Sequence, residues 1–238
     1  MGVVISLRDS DEISHFKEML FSMINILHPD ELLISSGYFH AGRYNVINDV
    51  LLDGTPVIDI LRNIETITIV GHMESNNNNN NNNNNNWHNQ FVSFVDNLRR
   101  VLPACTINAY YDTGYRWHAK ETILLSNGVA VAGTLGSSNY TRPAMGHTPR
   151  VAGVPLIANH NHIITNHNRE TDVYIFNDDY TNVAKDMTRM ANEGGTVSLI
   201  YTTIDPTLYA GRDESRILRE QYDMIMNEIQ NPPFVQLP

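Results

Sequence analysis

Apolar residues follow two periodicities along this chain, and these divide it into helices and strands. Helical spacing marks residues 13–27, which end before Pro29, and residues 87–102, which end before Pro103. Short runs rich in β-branched and aromatic residues predict strands at residues 31–39, 66–70, 106–111, 171–176 and 197–201. The succession of strand, helix and strand predicts βαβ organisation around a sheet.

The remaining segments carry weaker patterns. Residues 44–63 predict a helix, a Gly-Thr-Pro break and a second short helix, and residues 178–190 predict a capped helix. The charged stretch 212–229 predicts a helix with one apolar face. This helix is expected either to cover the sheet or to bind a partner. The polar, proline-rich residues 231–238 predict a loosely held terminus.

An Asn-Gly pair, Asn127-Gly128, separates two β-rich runs. It predicts a tight hairpin turn of type I′, because both residues tolerate a positive φ angle. This turn sets Ser126 opposite Val129. A hairpin added to βαβ units makes the predicted sheet mixed.

Counting outward from this turn gives a register for the rest of the hairpin. Lys120 falls opposite Leu135, and His118 falls opposite Ser137. Strand side chains alternate between faces, so His118, Lys120, Ser137 and Asn139 are expected on one face, at the open end of the hairpin. An imidazole, an ammonium, a hydroxyl and an amide there predict a site for negatively charged oxygens. A bulge at a glycine of the second strand would change this arrangement.

Three short motifs carry a resemblance to a known family. His118-Ala119-Lys120 followed by Gly136-Ser137-Ser138-Asn139 resembles the HxK…GSxN signature of the phospholipase D superfamily, and Asn168-Arg169-Glu170 resembles its downstream NxE element. The family's longer motif has an aspartate five residues after the lysine, where this chain has Leu125. Variants without that aspartate resemble the nuclease and restriction-endonuclease branches.

The resemblance implies an α/β fold with a mixed β-sheet flanked by helices on both faces. The run at 31–39 resembles the first core strand of the family, whose carboxyl end lines the active site. Ser36 and Tyr38 are therefore candidate substrate-binding residues, together with Ser137 and Ser138. For Ser36 and Tyr38, a strand end with ordinary polar residues is the alternative.

The resemblance also implies a mechanism. His118 would attack phosphorus to give a phosphohistidine that water resolves, while Lys120 and Asn139 hold the nonbridging oxygens. Glu170 would orient the imidazole of His118. No metal or other cofactor is required. Because the chain carries one copy of the motif, a homodimer is expected to supply the second histidine.

Composition adds limits to these hypotheses. Residues 1–238 are expected to form a single domain. The net charge of −10 argues against a broad nucleic-acid-binding surface but not against a local basic cleft. Cys105, the only cysteine, allows no intramolecular disulfide and is expected to be a buried, inert thiol. The sequence has no secretory leader pattern and no long apolar run, so a cytoplasmic protein without a membrane partner is expected.

Two segments have biased composition. Eleven consecutive asparagines, 76–86, predict a disordered loop within the domain, or stand as a placeholder for undetermined residues. Residues 143–169 are irregular, and a loop of this length is usually a lid or a binding loop. Its histidines match no standard zinc spacing, so metal binding is not expected: His147, His160, His162 and His167.

Three functions remain open from the sequence. The first is a metal-independent DNA endonuclease, of restriction type or non-specific. The second is a phospholipid-processing enzyme, although no interfacial helix is evident. The third is a non-catalytic binding member of the fold, which the presence of both His118 and Lys120 disfavours.

Overall fold

The computed structural model describes residues 2–8, 16–39, 46–51, 53–72, 86–114, 117, 119–138, 140, 145, 170–176, 198–203 and 215–238. The strands are β1 Gly2–Arg8, β2 Glu31–Ser35, β3 Thr66–His72, β4 Thr106–Asp112, β5 Glu121–Ser126, β6 Val129–Gly136, β7 Glu170–Phe176, β8 Ser198–Thr203 and β9 Phe234–Gln236. The helices are α1 Phe16–Leu27, α2 Val57–Leu61, α3 Asn86–Val101 and α4 Ser215–Glu228, with a 3₁₀ turn at Val46–Asn48.

The strands of the described chain form a 9-stranded mixed sheet with the order β8-β1-β7-β6-β5-β2-β3-β4-β9. Strands β2, β3 and β4 run parallel, and the other neighbours pair antiparallel. The carboxyl ends of the parallel strands therefore meet at one edge of the sheet. Strand β5 begins at this same edge, because it pairs antiparallel with β2.

Helices cover both faces of the sheet, which confirms the predicted architecture. One face packs against α1, α2 and α3 through a large apolar cluster that includes Met23, Leu61 and Phe94. The other face packs against α4 through a second cluster that includes Leu218 and Ile225. Burial of each such side chain contributes about 1.5–3 kcal/mol, so these two clusters account for much of the stability.

The end of α1 shows how local sequence sets an element boundary. His28 adopts a positive φ of 46° and its amide donates to the carbonyl of Ile24 at 3.0 Å. Pro29 follows and cannot continue a helix. The chain therefore turns there into β2, as the sequence predicts.

The hairpin turn between β5 and β6 is confirmed. Asn127 and Gly128 both have positive φ angles, 52° and 72°. Ser126 pairs with Val129. The turn is exposed, and a carboxylate oxygen of Asp30 accepts a hydrogen bond from the Asn127 amide at 2.7 Å.

Beyond the turn the pairing shifts by one residue, because Val131 is an extra residue in β6. Val131 and Ala132 both pack into the apolar cluster beneath α1, α2 and α3. The bulge thus buries two consecutive apolar side chains on one face. The predicted pairing of Lys120 with Leu135 is therefore wrong, and Glu121 pairs with Leu135 instead.

Both terminal segments differ from the sequence expectations. No strand is predicted from the sequence at residues 2–8, yet β1 forms there and pairs antiparallel with β7 and β8. Residues 231–238 are not loosely held, because β9 pairs with β4. The amide of Leu237 donates to Ala109 O at 2.8 Å, and Arg99 Nη2 donates to Leu237 O at 3.2 Å.

Some predictions lie outside the described residues. These are the helix at 178–190, the loop at 143–169 apart from Met145, and the asparagines at 76–85, whereas Asn86 begins α3. Over residues 44–63, the first predicted helix is only a 3₁₀ turn, and the second is α2. Of the helices in the described ranges, none combines the length and the apolar character needed to cross a bilayer.

Candidate active site

Three adjacent strands, β5, β6 and β7, bring described residues of the three sequence motifs to one edge of the sheet. The amide of Gly136 donates a hydrogen bond to the carbonyl of Lys120 at 3.1 Å, which joins the second motif to the first. The amide of Ser137 donates to the carbonyl of Thr171 at 3.0 Å, directly beside the backbone of Glu170. Segments far apart in sequence thus lie side by side.

The shifted register changes which residues share a face with Lys120. Lys120 is half-buried and lies opposite Gly136, so alternation places it on the face of Thr122, towards α1, α2 and α3. Ser137 follows Gly136 and falls on the other face in this register. The predicted common face of Lys120 and Ser137 therefore does not hold, and the cause is the extra residue Val131.

His118 and Asn139 lie outside the described residues, as does the side chain of Glu170. The catalytic roles of these residues stay predictions. The structure does describe the residues on both sides of His118 and of Asn139. Buried polar groups hold all of these flanking residues in place.

Ser138, which precedes Asn139, is held by the buried carboxylate of Asp172. Asp172 Oδ1 accepts the amide of Ser138 at 3.1 Å, and Oδ2 accepts its hydroxyl at 2.6 Å. A Cβ on Gly136 would collide with Asp172 Oδ1 and lie 2.8 Å from Thr171 O. The glycine of the second motif is therefore required by the close approach of β7.

Tyr140, which follows Asn139, is held at both ends. Its amide donates to Ser36 Oγ at 3.2 Å, and its hydroxyl forms a 2.7 Å hydrogen bond with Thr122 Oγ1. Its ring packs against Phe39 with centroids 5.6 Å apart. Burial raises the pKa of the Tyr140 phenol far above its ordinary value, and the bond to Thr122 lowers it by less. The phenol is therefore neutral and structural.

Two of the predicted substrate-binding hydroxyls, those of Ser36 and Ser137, bind the protein's own backbone. Ser36 is fully buried, and its hydroxyl donates to Tyr38 O at 2.9 Å. The ring of Tyr38 is half-buried and meets His72 edge-on at 6.2 Å. Ser137 Oγ accepts the amide of Thr171 at 2.8 Å. These contacts fix the loops of the site, and contact of Ser36, Tyr38, Ser137 or Ser138 with a substrate stays a prediction.

Sequence reasoning missed two buried acids, Asp112 and Asp172, which are only 2% and 6% exposed. Asp112 Oδ1 accepts the amide of Gly114 at 2.6 Å, and Oδ2 accepts the amide of Trp117 at 2.8 Å. Asp112 ends β4 after two tyrosines, and Asp172 lies within β7 before four apolar or aromatic residues. This placement in the sequence could have indicated a buried acid with hydrogen-bond donors around it, because an acid is rarely buried without such donors.

Glu121 lies next to Lys120 in sequence but on the other face of β5. Burial raises the pKa of its carboxyl above the ordinary value near 4.5. Within the described part of the chain, the buried Oε2 atom has no hydrogen-bond partner. The charged form of Glu121 is therefore disfavoured in the folded protein.

Cys105 is half-buried between α3 and β4, so the expectation of a fully buried thiol is only partly met. Burial raises its pKa to about 11, and a backbone hydrogen bond from Ile67 opposes the rise. The thiol is therefore protonated at neutral pH and weakly reactive.

No protein-family model and no curated protein sequence matches the chain. Solved structures do show similarity. Nuc from Salmonella typhimurium, described as a phospholipase D family member, is 12% identical, with 84% of this chain and 99% of that chain covered and a TM-score of 0.39. NucT from Helicobacter pylori is 14% identical, with 77% and 91% covered and a TM-score of 0.32.

A third similar structure is the phosphatidylserine synthase of Haemophilus influenzae. It is 11% identical, with 88% of this chain and 43% of the synthase chain covered and a TM-score of 0.41. Because these TM-scores are low, the functional conclusion depends on the motifs and on the geometry of the site.

Proposed function

We propose that the protein is a phosphodiesterase that cleaves DNA as a metal-independent endonuclease. One observation supports this most: the described residues of the three motifs, which include Lys120, Gly136 and Glu170, lie at the adjoining ends of three adjacent strands at one edge of the sheet. A site built from these motifs offers a nucleophile and several donors for phosphate oxygens.

In the proposed first step, an imidazole nitrogen of His118 attacks phosphorus. A P–N bond forms and the P–O bond to the leaving strand breaks. Lys120 and Asn139 stabilise the charge on the nonbridging oxygens, and Glu170 accepts a hydrogen bond from the other imidazole nitrogen. Water then attacks the phosphohistidine, which releases the second product and restores His118.

The leaving oxygen needs a proton, and the motif supplies one histidine per chain. We therefore propose a homodimer in which His118 of a second copy protonates this oxygen. Sedimentation tests this arrangement, since a monomer with full activity would contradict it. A restriction-type role also predicts a cytoplasmic protein, which fractionation of the source cells would check.

The direct test is nicking of supercoiled plasmid DNA in EDTA. Wild-type protein should cleave, and His118→Ala should lose at least about a thousandfold in rate, because the covalent route is removed. His28→Asn is the matched control, since this exposed histidine lies at the opposite end of β2 and asparagine tolerates its positive φ.

Cleavage by His118→Ala, or cleavage only with Mg²⁺, would contradict the mechanism. Mass spectrometry of protein quenched in alkali should show one added phosphoryl-DNA group on His118. Phosphatidylcholine vesicles are the second substrate for the same preparation. Turnover of vesicles without turnover of DNA would replace the nuclease proposal with a phospholipid-processing one.

A further inference from the structure

The segment that joins β4 to the HxK motif is held by one carboxylate. Asp112 is 2% exposed, and its two oxygens accept different backbone amides, from Gly114 at 2.6 Å and from Trp117 at 2.8 Å. Hydrogen bonds to an ionised acceptor are about twice as strong as neutral ones. Trp117 is the residue immediately before His118, so this carboxylate fixes the chain where it enters the motif.

Two further hydrogen bonds, both formed by the Ser35 hydroxyl, hold the residues on both sides of His118. The indole N–H of Trp117 donates to Ser35 Oγ at 3.0 Å, and the Ser35 hydroxyl donates to the carbonyl of Ala119 at 3.4 Å. Ser35 is fully buried at the end of β2. The backbone before His118 and the backbone after it are therefore connected through one buried hydroxyl.

The C-terminal segment supports the same loop from outside. The Thr113 hydroxyl donates to Pro233 O at 2.7 Å, and the Trp117 ring meets Phe234 edge-on at 5.1 Å. A Cβ on Gly114 would lie 2.9 Å from both Asp112 Oδ1 and Pro233 Cγ. The described residues of this loop, Thr113, Gly114 and Trp117, thus contact the carboxylate or the C-terminal segment.

We propose that Asp112 is a positioning residue, which fixes the backbone at Trp117 and thereby the location of His118, without contacting the substrate. This inference rests on the proposed function of His118. A displacement of about 1 Å in a reacting group can cost about a hundredfold in rate. The structure of the loop therefore predicts a kinetic role for a residue outside the motifs.

Asparagine at this position gives a sharp test because it is nearly isosteric. A carboxylate offers an acceptor to both amides, whereas a carboxamide has one acceptor oxygen and one NH₂ group. In either orientation of Asp112→Asn, the NH₂ group faces a backbone N–H. One of the two bonds, to Gly114 or to Trp117, is therefore lost.

The first measurement is amide hydrogen exchange, which needs no activity. In the wild type the amides of Gly114 and Trp117 should be protected, and in Asp112→Asn at least one of them should exchange at least about tenfold faster, with β3 unchanged. Unchanged protection at both amides would overturn the proposal. If the wild type cleaves no phosphodiester, the proposed function fails, and the exchange data still decide whether Asp112 holds the loop.

The second measurement is steady-state kinetics with bis(p-nitrophenyl) phosphate. For Asp112→Asn, kcat should fall at least about tenfold while KM stays within about twofold, because orientation and not binding is disturbed. The control is Asp30→Ala, which removes the acceptor of the 2.7 Å hydrogen bond from the Asn127 amide at the turn end of the β5–β6 hairpin. It should lower the Tm and leave kcat unchanged.

A wild-type kcat in Asp112→Asn would overturn the proposal. Should this variant fail to fold, Asp112→Glu takes its place, because it keeps the charge and moves the carboxylate by one methylene relative to the two amides. A fall of about threefold in kcat at unchanged KM supports the positioning role. No change in kcat for Asp112→Glu overturns it.

Discussion

The two ends of the β5–β6 hairpin are built in different ways. At the turn end, Asn127 and Gly128 are exposed and their positive φ angles set the geometry. At the open end, Asp112 and Asp172 are buried and bind backbone amides of the two motif segments. The turn is therefore specified by two adjacent residues, whereas the second motif at the open end depends on Asp172, which lies 34 residues from Ser138 in the chain.

The largest expected difference between the two ends comes from removing one carboxylate at each. Asp172→Ala leaves the amide and hydroxyl of Ser138 buried without this acceptor and should lower the free energy of unfolding by about 2–4 kcal/mol. Asp30→Ala loses an exposed bond to Asn127 and should cost about 0.5–1 kcal/mol. Urea unfolding of both variants measures the two losses in free energy of unfolding. Equal losses would show that the two ends of the hairpin do not differ in this way.

Glycine substitutions sharpen the comparison with a smaller effect. Gly136→Ala places a Cβ against Asp172 and Thr171 and should cost about 2–3 kcal/mol, because backbone atoms cannot move aside. Gly128→Ala meets no atom within 4 Å, but it strains a φ of +72° and should cost about 1 kcal/mol. Thermal unfolding ranks the two, and a larger loss for Gly128→Ala would show that crowding is not decisive at the open end.

The smallest expected effect is a pH dependence at Glu121. Its pKa is raised in the folded state, so its contribution to stability is greatest below the ordinary value near 4.5 and is lost as the pH rises through the folded pKa. Glu121→Gln cannot ionise, and it should raise the Tm by about 2 °C at pH 8 and by little at pH 4.

The matched control for this titration is Glu220→Gln, an exposed partner of Arg216 in α4. It should leave the pH dependence of the Tm unchanged. If Glu121→Gln and wild type lose stability in parallel between pH 4 and pH 8, burial of this carboxyl does not influence folding.

Much of the fold could be predicted from the sequence because local chemistry decides it. The Asn127-Gly128 turn, the end of α1 at Pro29 and the apolar strands depend on short-range preferences. The meeting of the first two motifs, through Gly136 and Lys120, follows from that hairpin. These features need no knowledge of distant contacts.

The bulge and the last strand depend on tertiary packing and could not be predicted in this way. Val131 and Ala132 are both apolar, so the sequence does not indicate which of them faces the cluster beneath α1, α2 and α3. Strand β9 is three residues long and follows two prolines, and its pairing is supported by Arg99 from α3. The roles of Asp112 and Asp172 are similarly hidden, because each acts through backbone amides that carry no side-chain signature.

The contact between Thr113 and Pro233 has a consequence for synthesis of the protein. The two residues are 120 positions apart in the chain. At about 5–20 residues per second, the ribosome adds Pro233 roughly 6–24 s after Thr113. During that interval Thr113 has been synthesised but its partner Pro233 has not. The loop before His118 must therefore be among the last parts of the molecule to reach its final arrangement.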